Sequence, residues 1–337
     1  MARFGATDIN SGESMEKILL TGCCGFIASQ VAEKLLKQGY HVFGLDEMNE
    51  SYDVRLKEYR LGILQGHKNF TFRKHDISEP GTAGIVRSYG PSVIINLAAR
   101  AGVRASMSDP FIYFRANLTG TLNMLEAARE CGIKKFILAS TSSVYAGEKM
   151  PFSETLPVNR PISPYAASKK SAEAICYTYH YLYEMDITVF RYFTVYGPAG
   201  RPDMSIFKFI KLIDSDMEIT VYGDGTQSRN FTYVEDIAEG TVRGMKLKGF
   251  QTVNLGGDRT NSLNEMISLI EKYLGKKARI VYKDFQKTDI YATWADIRSA
   301  KELLGWQPET GLEEGIKKTV EWYRKNLSWA KDIQLAD

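Results

Sequence analysis

From position 17 onward, short runs rich in apolar and β-branched residues alternate with longer stretches of helical character. The short runs predict strands over 17–20, 41–45, 70–73, 93–97, 135–139 and 188–191. The longer ones predict helices over 26–38, 53–64, 119–130 and 165–183. Strands separated by helices of this length need crossover connections, which implies a parallel sheet covered on both faces, a doubly wound α/β layout. After about Pro198 the rhythm loosens. Gly197, Pro198, Gly200 and Pro202 cluster, and shorter elements follow before a closing helix at Leu312–Lys325. The pattern divides the chain into a polar N-terminal extension over 1–16, a sheet-bearing domain over 17–197 and a smaller C-terminal α/β lobe over 198–330, with some segments of the lobe returning to the first sheet.

Composition narrows the class of protein. Of the 337 residues 44% are hydrophobic, enough for a real core and too many for an intrinsically disordered chain. The 43 Lys+Arg exceed the 40 Asp+Glu too slightly for an electrostatic nucleic-acid binder. No apolar run approaches the roughly 20 residues of a membrane-spanning helix, and the first sixteen residues lack the apolar stretch of a secretory signal. Cys23, Cys24, Cys131 and Cys176 suggest no disulfide framework and fit a reducing cytoplasm. His41, His67, His75 and His180 are scattered, and no spacing of His, Cys or carboxylates resembles a metal site. A metal-free cytosolic enzyme or binding protein is what remains.

The segment Lys17-Ile-Leu-Leu-Thr-Gly-Cys-Cys-Gly-Phe-Ile-Ala28 sets Gly22 and Gly25 between a strand and a helix. A pyrophosphate rests in such a turn because backbone N–H groups and the positive helix end face it, and side chains would obstruct that approach. Ala28 takes the third small position, where close helix–strand packing is the requirement. Within this strand–turn–helix context the glycines read as a dinucleotide loop, making 17–197 a Rossmann domain. Asp46 ends the second strand, 24 residues after Gly22. A carboxylate there accepts hydrogen bonds from the adenosine ribose and repels a 2′-phosphate, favouring NAD over NADP; the alternative is a cap for the following turn. Asp76, after the third strand, can reach the adenine amine.

Tyr165-Ala-Ala-Ser-Lys169 opens a helix behind Pro164, and the i,i+4 spacing sets phenol and ammonium on one face. A Tyr general base at neutral pH must lose roughly three pKa units from its usual value near 10, about 4 kcal/mol of phenolate stabilisation. One ammonium plus a positive nicotinamide ring in a partly dry site can supply it. Ser140-Thr-Ser-Ser-Val-Tyr145 lies at the carboxyl end of the fifth strand, the edge at which ligands of doubly wound sheets bind.

With these motifs in place the chain resembles the extended short-chain dehydrogenase/reductases, specifically their nucleotide-sugar epimerase branch, across nearly all of 17–325. The resemblance is carried by Thr21-Gly22-x-x-Gly25-Phe26-Ile27, Tyr165-x-x-x-Lys169 and Arg229-Asn-Phe-Thr-Tyr-Val-Glu-Asp236. Two further stretches are similar to UDP-glucuronate 4-epimerases: Asn49-Glu-Ser-Tyr-Asp-Val-Arg-Leu-Lys57 and Arg191-Tyr-Phe-Thr-Val-Tyr-Gly-Pro-Ala-Gly-Arg-Pro-Asp-Met204.

The resemblance implies a recycled NAD, held by Gly22, Gly25, Phe26, Ile27, Asp46, Asp76, Ile77, Leu97, Ala98, Ala99, Asn117, Tyr165 and Lys169. It implies that Tyr165 is the base, that Lys169 lowers its pKa, and that Thr141 hydrogen-bonds the sugar 4-hydroxyl. Ser142, Ser143, Thr194, Arg201 and Arg229 would complete the binding of a UDP-sugar. Arg229 would face the diphosphate, and Arg201 would either hold a uronate carboxylate or form an ordinary salt bridge in its Gly/Pro loop. Dehydratases of the superfamily carry an Asp-Glu pair where this chain has Ser142 and Ser143, so elimination is disfavoured. Arg100 and Ala146 depart from the glucuronate pattern, and Tyr222-Gly-Asp-Gly-Thr-Gln227 also occurs in UDP-glucose and UDP-N-acetylglucosamine epimerases, so those substrates stay open beside UDP-glucuronate/UDP-galacturonate. A non-catalytic NAD sensor on the same fold is the alternative of a different class. Tyr177, Tyr179, Tyr181 and Tyr183 point in two directions on their helix, so that one side packs on the sheet and the other suits a homodimer.

Overall fold

A computed structural model describes residues 16–285 and 290–335. The N-terminal extension expected over 1–16 lies, apart from Glu16, outside the described residues. The first part of the chain runs β1 (Lys17–Thr21), α1 (Phe26–Lys37), β2 (His41–Asp46), α2 (Arg55–Gln65), β3 (Phe70–Lys74), α3 (Thr82–Tyr89), β4 (Val93–Asn96), α4 (Gly120–Glu130), β5 (Lys135–Thr141), α5 (Pro164–Tyr183) and β6 (Asp186–Tyr192). A seventh strand, β7 (Phe250–Leu255), joins from much later in the sequence.

The sheet order is β7-β6-β5-β4-β1-β2-β3, and every pairing is parallel. β1 pairs with β2 on one side and β4 on the other, so the direction of winding reverses there and a crevice opens at the carboxyl ends of β1 and β4. Both faces of the sheet are apolar. Ile18 and Leu20 point into one core with Val31 and Leu35 of α1, while Leu19 points into the other with Phe43, Ile94 and Phe136. This period-two sorting of a continuous hydrophobic run is what a sheet covered on both sides requires.

Boundaries differ from the sequence reading in a few places. The fourth strand stops at Asn96, and the sixth runs from Asp186 to Tyr192 because β5 pairs with it along that whole length and β7 from Ile187 onward. The helix expected from 119 is preceded by a π-helical turn, Arg115–Thr119. That turn holds Asn117, which is buried and bonded both ways to the backbone of Arg100.

After β6 the chain builds a second core. Helices Ser205–Asp214, Leu263–Leu274 and Leu312–Lys325 enclose Phe209, Ile210, Met266, Ile270, Ile316 and Val320. They also enclose Ile219 and Val221 of strand Glu218–Tyr222, which pairs in parallel with Arg279–Lys283. Helix Val234–Arg243 instead packs on α1, where Lys34 and Glu239 form an ion pair at 2.7 Å. On α5, Tyr179 is 7% exposed and bonds to Glu126 of α4, whereas Tyr177 and Tyr181 are 54% and 74% exposed.

Candidate active site

The crevice is a cavity of about 370 Å³. Its floor begins at the glycine loop. Gly22 has φ 69°, and a Cβ there would lie 2.8 Å from the main chain of Ala98; a Cβ on Gly25 would meet the Gly22 carbonyl oxygen at 2.8 Å. Only glycine lets β1 and the segment after β4 approach this closely. Gly25 stands at the N-cap of α1 with no side chain capping the helix, so the first N–H groups of α1 face the crevice, as an anion site demands. The mouth is pinned by Thr21, whose hydroxyl donates to Asn96 Oδ1 at 2.6 Å and accepts from the Ala98 N–H at 3.0 Å. Glycine cradle, uncapped helix end and strand-end acid together fit a dinucleotide.

The cavity wall includes Gly22, Gly25, Phe26, Ile27, Asp46, Asp76, Ile77, Leu97, Ala98 and Ala99, together with Thr141, Ser142, Ser143, Tyr165, Lys169, Thr194 and Arg201. Two expected residues stand elsewhere. Asn117 lies behind the wall, where its amide spans the Arg100 backbone and Ser168 Oγ, so it supports the segment that lines the cavity. Arg229 sits on the short strand Ser228–Arg229, donates to the carbonyls of Ser228 and Tyr291 and is not among the lining residues. That strand pairs antiparallel with Asn261–Ser262, a long-range contact that motif spacing does not carry.

Asp46 takes the capping role considered for it and also lines the cavity. Its carboxylate accepts the N–H groups of Cys24 at 3.0 Å and Met48 at 2.8 Å while facing the cavity. The sulfurs of Cys23 and Cys24 lie 3.8 Å apart as free thiols, packed in the core beneath the loop. Lys57 also lines the cavity, buried and donating to the Asn49 carbonyl and side chain at 2.6 and 2.9 Å. The sequence signal for it was the Asn49–Lys57 stretch, whose last residue is this lysine.

At the other end, Ser163 caps α5 by accepting the Ala166 N–H, and Pro164 starts the helix, which delivers Tyr165 and Lys169 to one face of the cavity. Thr141 ends β5, accepts the Ser143 N–H at 3.1 Å and is hydrogen-bonded to the Tyr165 phenol. The expectation that Lys169 lowers the Tyr165 pKa is revised. Burial pushes the phenol up, and the influences that pull it back are the Thr141 bond and the positive charge of Arg201. Lys169 donates to the Ala139 carbonyl at 2.8 Å, and its own pKa is lowered to about 8 by burial, partly offset by Glu173.

Arg201 pairs with Asp203 through both carboxylate oxygens, at 3.0 and 2.5 Å, and donates to the Ala101 carbonyl at 3.2 Å. Its fork is therefore engaged, and it shapes the wall beside Tyr165 as an oriented charge. Beneath the site, Glu173 accepts from Ser140 at 2.6 Å and from Arg191 at 2.8 and 3.0 Å. Arg191 continues to the Tyr145 hydroxyl, which donates to Asn254 on β7, both at 2.8 Å. Sequence reasoning missed this network because its members come from four separate segments.

Comparison with known proteins agrees with this geometry. The model of the family described as GDP-mannose 4,6 dehydratase matches residues 19–319. A UDP-glucuronate 4-epimerase of Thermodesulfobacterium geofontis is 52% identical over 319 residues, covering 94% of this chain and 99% of that one. The UDP-glucuronic acid 4-epimerase of Bacillus cereus, solved with UDP-glucuronic acid and NAD, has a TM-score of 0.87 at 36% identity, over 92% of this chain and 99% of that one. The UDP-glucose 4-epimerase of Thermotoga maritima, solved with UDP-glucose, has a TM-score of 0.84 at 32% identity, with the same coverage. The chain belongs to the GDP-mannose 4,6 dehydratase family, in the nucleotide-sugar epimerase branch of the extended short-chain dehydrogenase/reductases.

Proposed function

We propose that this chain is an NAD-dependent UDP-sugar 4-epimerase whose leading substrate pair is UDP-glucuronate and UDP-galacturonate. The observation that carries the reading is one cavity with a pyrophosphate cradle at one end and a Tyr165 phenol bonded to Thr141 at the other. NAD, held by the glycine loop, Asp46 and the Ala98–Ala99 segment, supplies a reversible hydride acceptor. Tyr165 takes the proton of the sugar 4-hydroxyl and later returns it, and Thr141 orients that hydroxyl. Arg201 sets positive charge beside the phenolate as it forms, and the buried Lys169 lines the same cavity. The lining carboxylates, Asp46, Glu47 and Asp76, lie at or just after the ends of β2 and β3. Beside Thr141 stand Ser142 and Ser143, which are poor acids for expelling a hydroxyl, so epimerisation is favoured over dehydration.

The substrate division that goes with this reading gives the dinucleotide to 17–197 and the sugar nucleotide mainly to 198–330. The small hydroxyl donors Ser142, Ser143 and Thr194 suit a uronate carboxylate, and relatives that act on UDP-glucuronate support that choice. The engagement of Arg201 by Asp203 favours the second reading, a neutral UDP-hexose. The exposed Tyr177 and Tyr181 on α5 support a homodimer, and the free thiols suit a reducing cytoplasm. Incubating the purified protein with UDP-glucuronate, UDP-glucose or UDP-N-acetylglucosamine and chromatographing the products decides the substrate. Conversion of UDP-glucuronate is expected; conversion of a neutral sugar with glucuronate inert would reverse the order. Tyr165→Phe is expected to lose turnover by about 10²–10⁴-fold while keeping NAD, whereas a sensor would be indifferent to it.

A further inference from the structure

Arg60 on α2 is 2% exposed, and its acceptors are two main-chain carbonyls and a phenol, with no carboxylate among them. Nη1 donates to the Cys24 carbonyl at 3.0 Å and to the Tyr52 hydroxyl at 2.8 Å, while Nε and Nη2 donate to the Ala199 carbonyl at 3.2 and 2.6 Å. The guanidinium also stacks over the rings of Phe26 and Tyr52, at 5.9 and 5.6 Å to their centroids. A buried guanidinium is costly, and one retained without an acid partner is held for what its rigid fork connects.

From outside the lining, it ties the glycine loop to the segment that leads into Arg201. Cys24 lies inside the glycine loop, and its N–H is already bonded to Asp46; carboxylate and guanidinium thus hold the two sides of one residue and fix the peptide that leads into Gly25. Ala199 adopts φ 52°, a left-handed conformation that costs a non-glycine residue, two positions before Arg201 on the cavity wall. Tyr52 and Phe26 are themselves lining residues. Segments 36 and 139 residues away from Arg60 in sequence therefore share one side chain.

We propose that Arg60 is a positioning residue that couples the dinucleotide end of the cavity to the sugar end, so that bound NAD tightens the hold on the nucleotide sugar. This rests on the reading of the cavity given above. NAD that orders the glycine loop fixes Arg60, and Arg60 in turn fixes the loop carrying Arg201; the coupling is reciprocal by thermodynamic necessity. A lysine at this position keeps the charge but cannot span both carbonyls with a planar fork.

The test measures UDP-glucuronate binding by calorimetry with and without saturating NAD, in the Tyr165→Phe background to stop turnover. It compares Arg60, Arg60→Lys and Arg60→Met. With Arg60 present, NAD is expected to tighten binding about 5-fold or more, the lower end of ordinary coupling. In both variants the factor falls below about twofold while each ligand still binds alone, an outcome that lost foldedness would not produce. If Arg60→Met does not fold, Arg60→Lys decides. Equal coupling in all three proteins, or none with Arg60 present, overturns the proposal. Failure of UDP-glucuronate to bind the Arg60 protein at all overturns the uronate choice of substrate, and UDP-glucose then takes its place in the same measurement.

Discussion

Replacing Lys169 with Met should remove activity and raise stability at neutral pH. The lysine is buried on the cavity wall, and its pKa is lowered from 10.5 to about 8, chiefly by desolvation. A depressed lysine pKa means that the unfolded chain binds more protons than the folded one between these two values, so this group's contribution to stability improves as pH rises through that window. Below pH 8 the folded protein carries the full cost of the buried ammonium, about 3 kcal/mol from a shift of about 2.5 units at 1.36 kcal/mol each. Methionine has similar length and no charge. It forfeits the hydrogen bond to the Ala139 carbonyl, about 1 kcal/mol, leaving a net gain of about 2 kcal/mol at pH 7. By pH 10 the remaining ionisation cost is under about 1 kcal/mol, so the advantage of the variant should have shrunk to nothing or reversed. Urea unfolding of nucleotide-free wild type and Lys169→Met at pH 7 and pH 10 measures both values. A variant less stable than wild type at pH 7, or a gap that does not change with pH, would refute the reasoning.

Other outcomes follow from neighbouring contacts. Glu173→Gln leaves Arg191 buried without its counter-charge and should cost about 3–5 kcal/mol in urea unfolding, whereas Glu173→Leu combined with Arg191→Leu should come close to wild type. Because Glu173 holds the Lys169 pKa up, the single variant should also shift the alkaline limb of the kcat/KM profile to lower pH. Gly22→Ala forces a Cβ to within 2.8 Å of the Ala98 main chain at φ 69°; NAD affinity by fluorescence titration should fall by about tenfold or more, with a lower melting temperature.

Much of the site was legible in the sequence because its parts are local. A glycine loop works through the backbone of consecutive residues, and a Tyr–Lys pair four positions apart shares a helix face whatever surrounds it. The strand–helix alternation likewise predicts a parallel sheet from short-range pattern alone. The seventh strand was not individually legible: Phe250–Leu255 is a short run in an irregular region, and its place is decided by pairing with β6.

What a charged side chain does was decided by its distant partners. Arg201 is engaged by Asp203, Arg229 turns toward Tyr291, and Asn117 holds the backbone of Arg100 from behind the wall. The titration of Tyr165 and Lys169 was beyond the motif as well, since it depends on how much water the fold removes around them. By itself the sequence determined most of the first sheet's strands and helices, the glycine cradle and the helix that carries Tyr165 and Lys169, for these need only neighbours along the chain. Only the tertiary structure decided which charges meet and how dry they are, because burial and contacts between remote segments exist only once the chain has closed on itself.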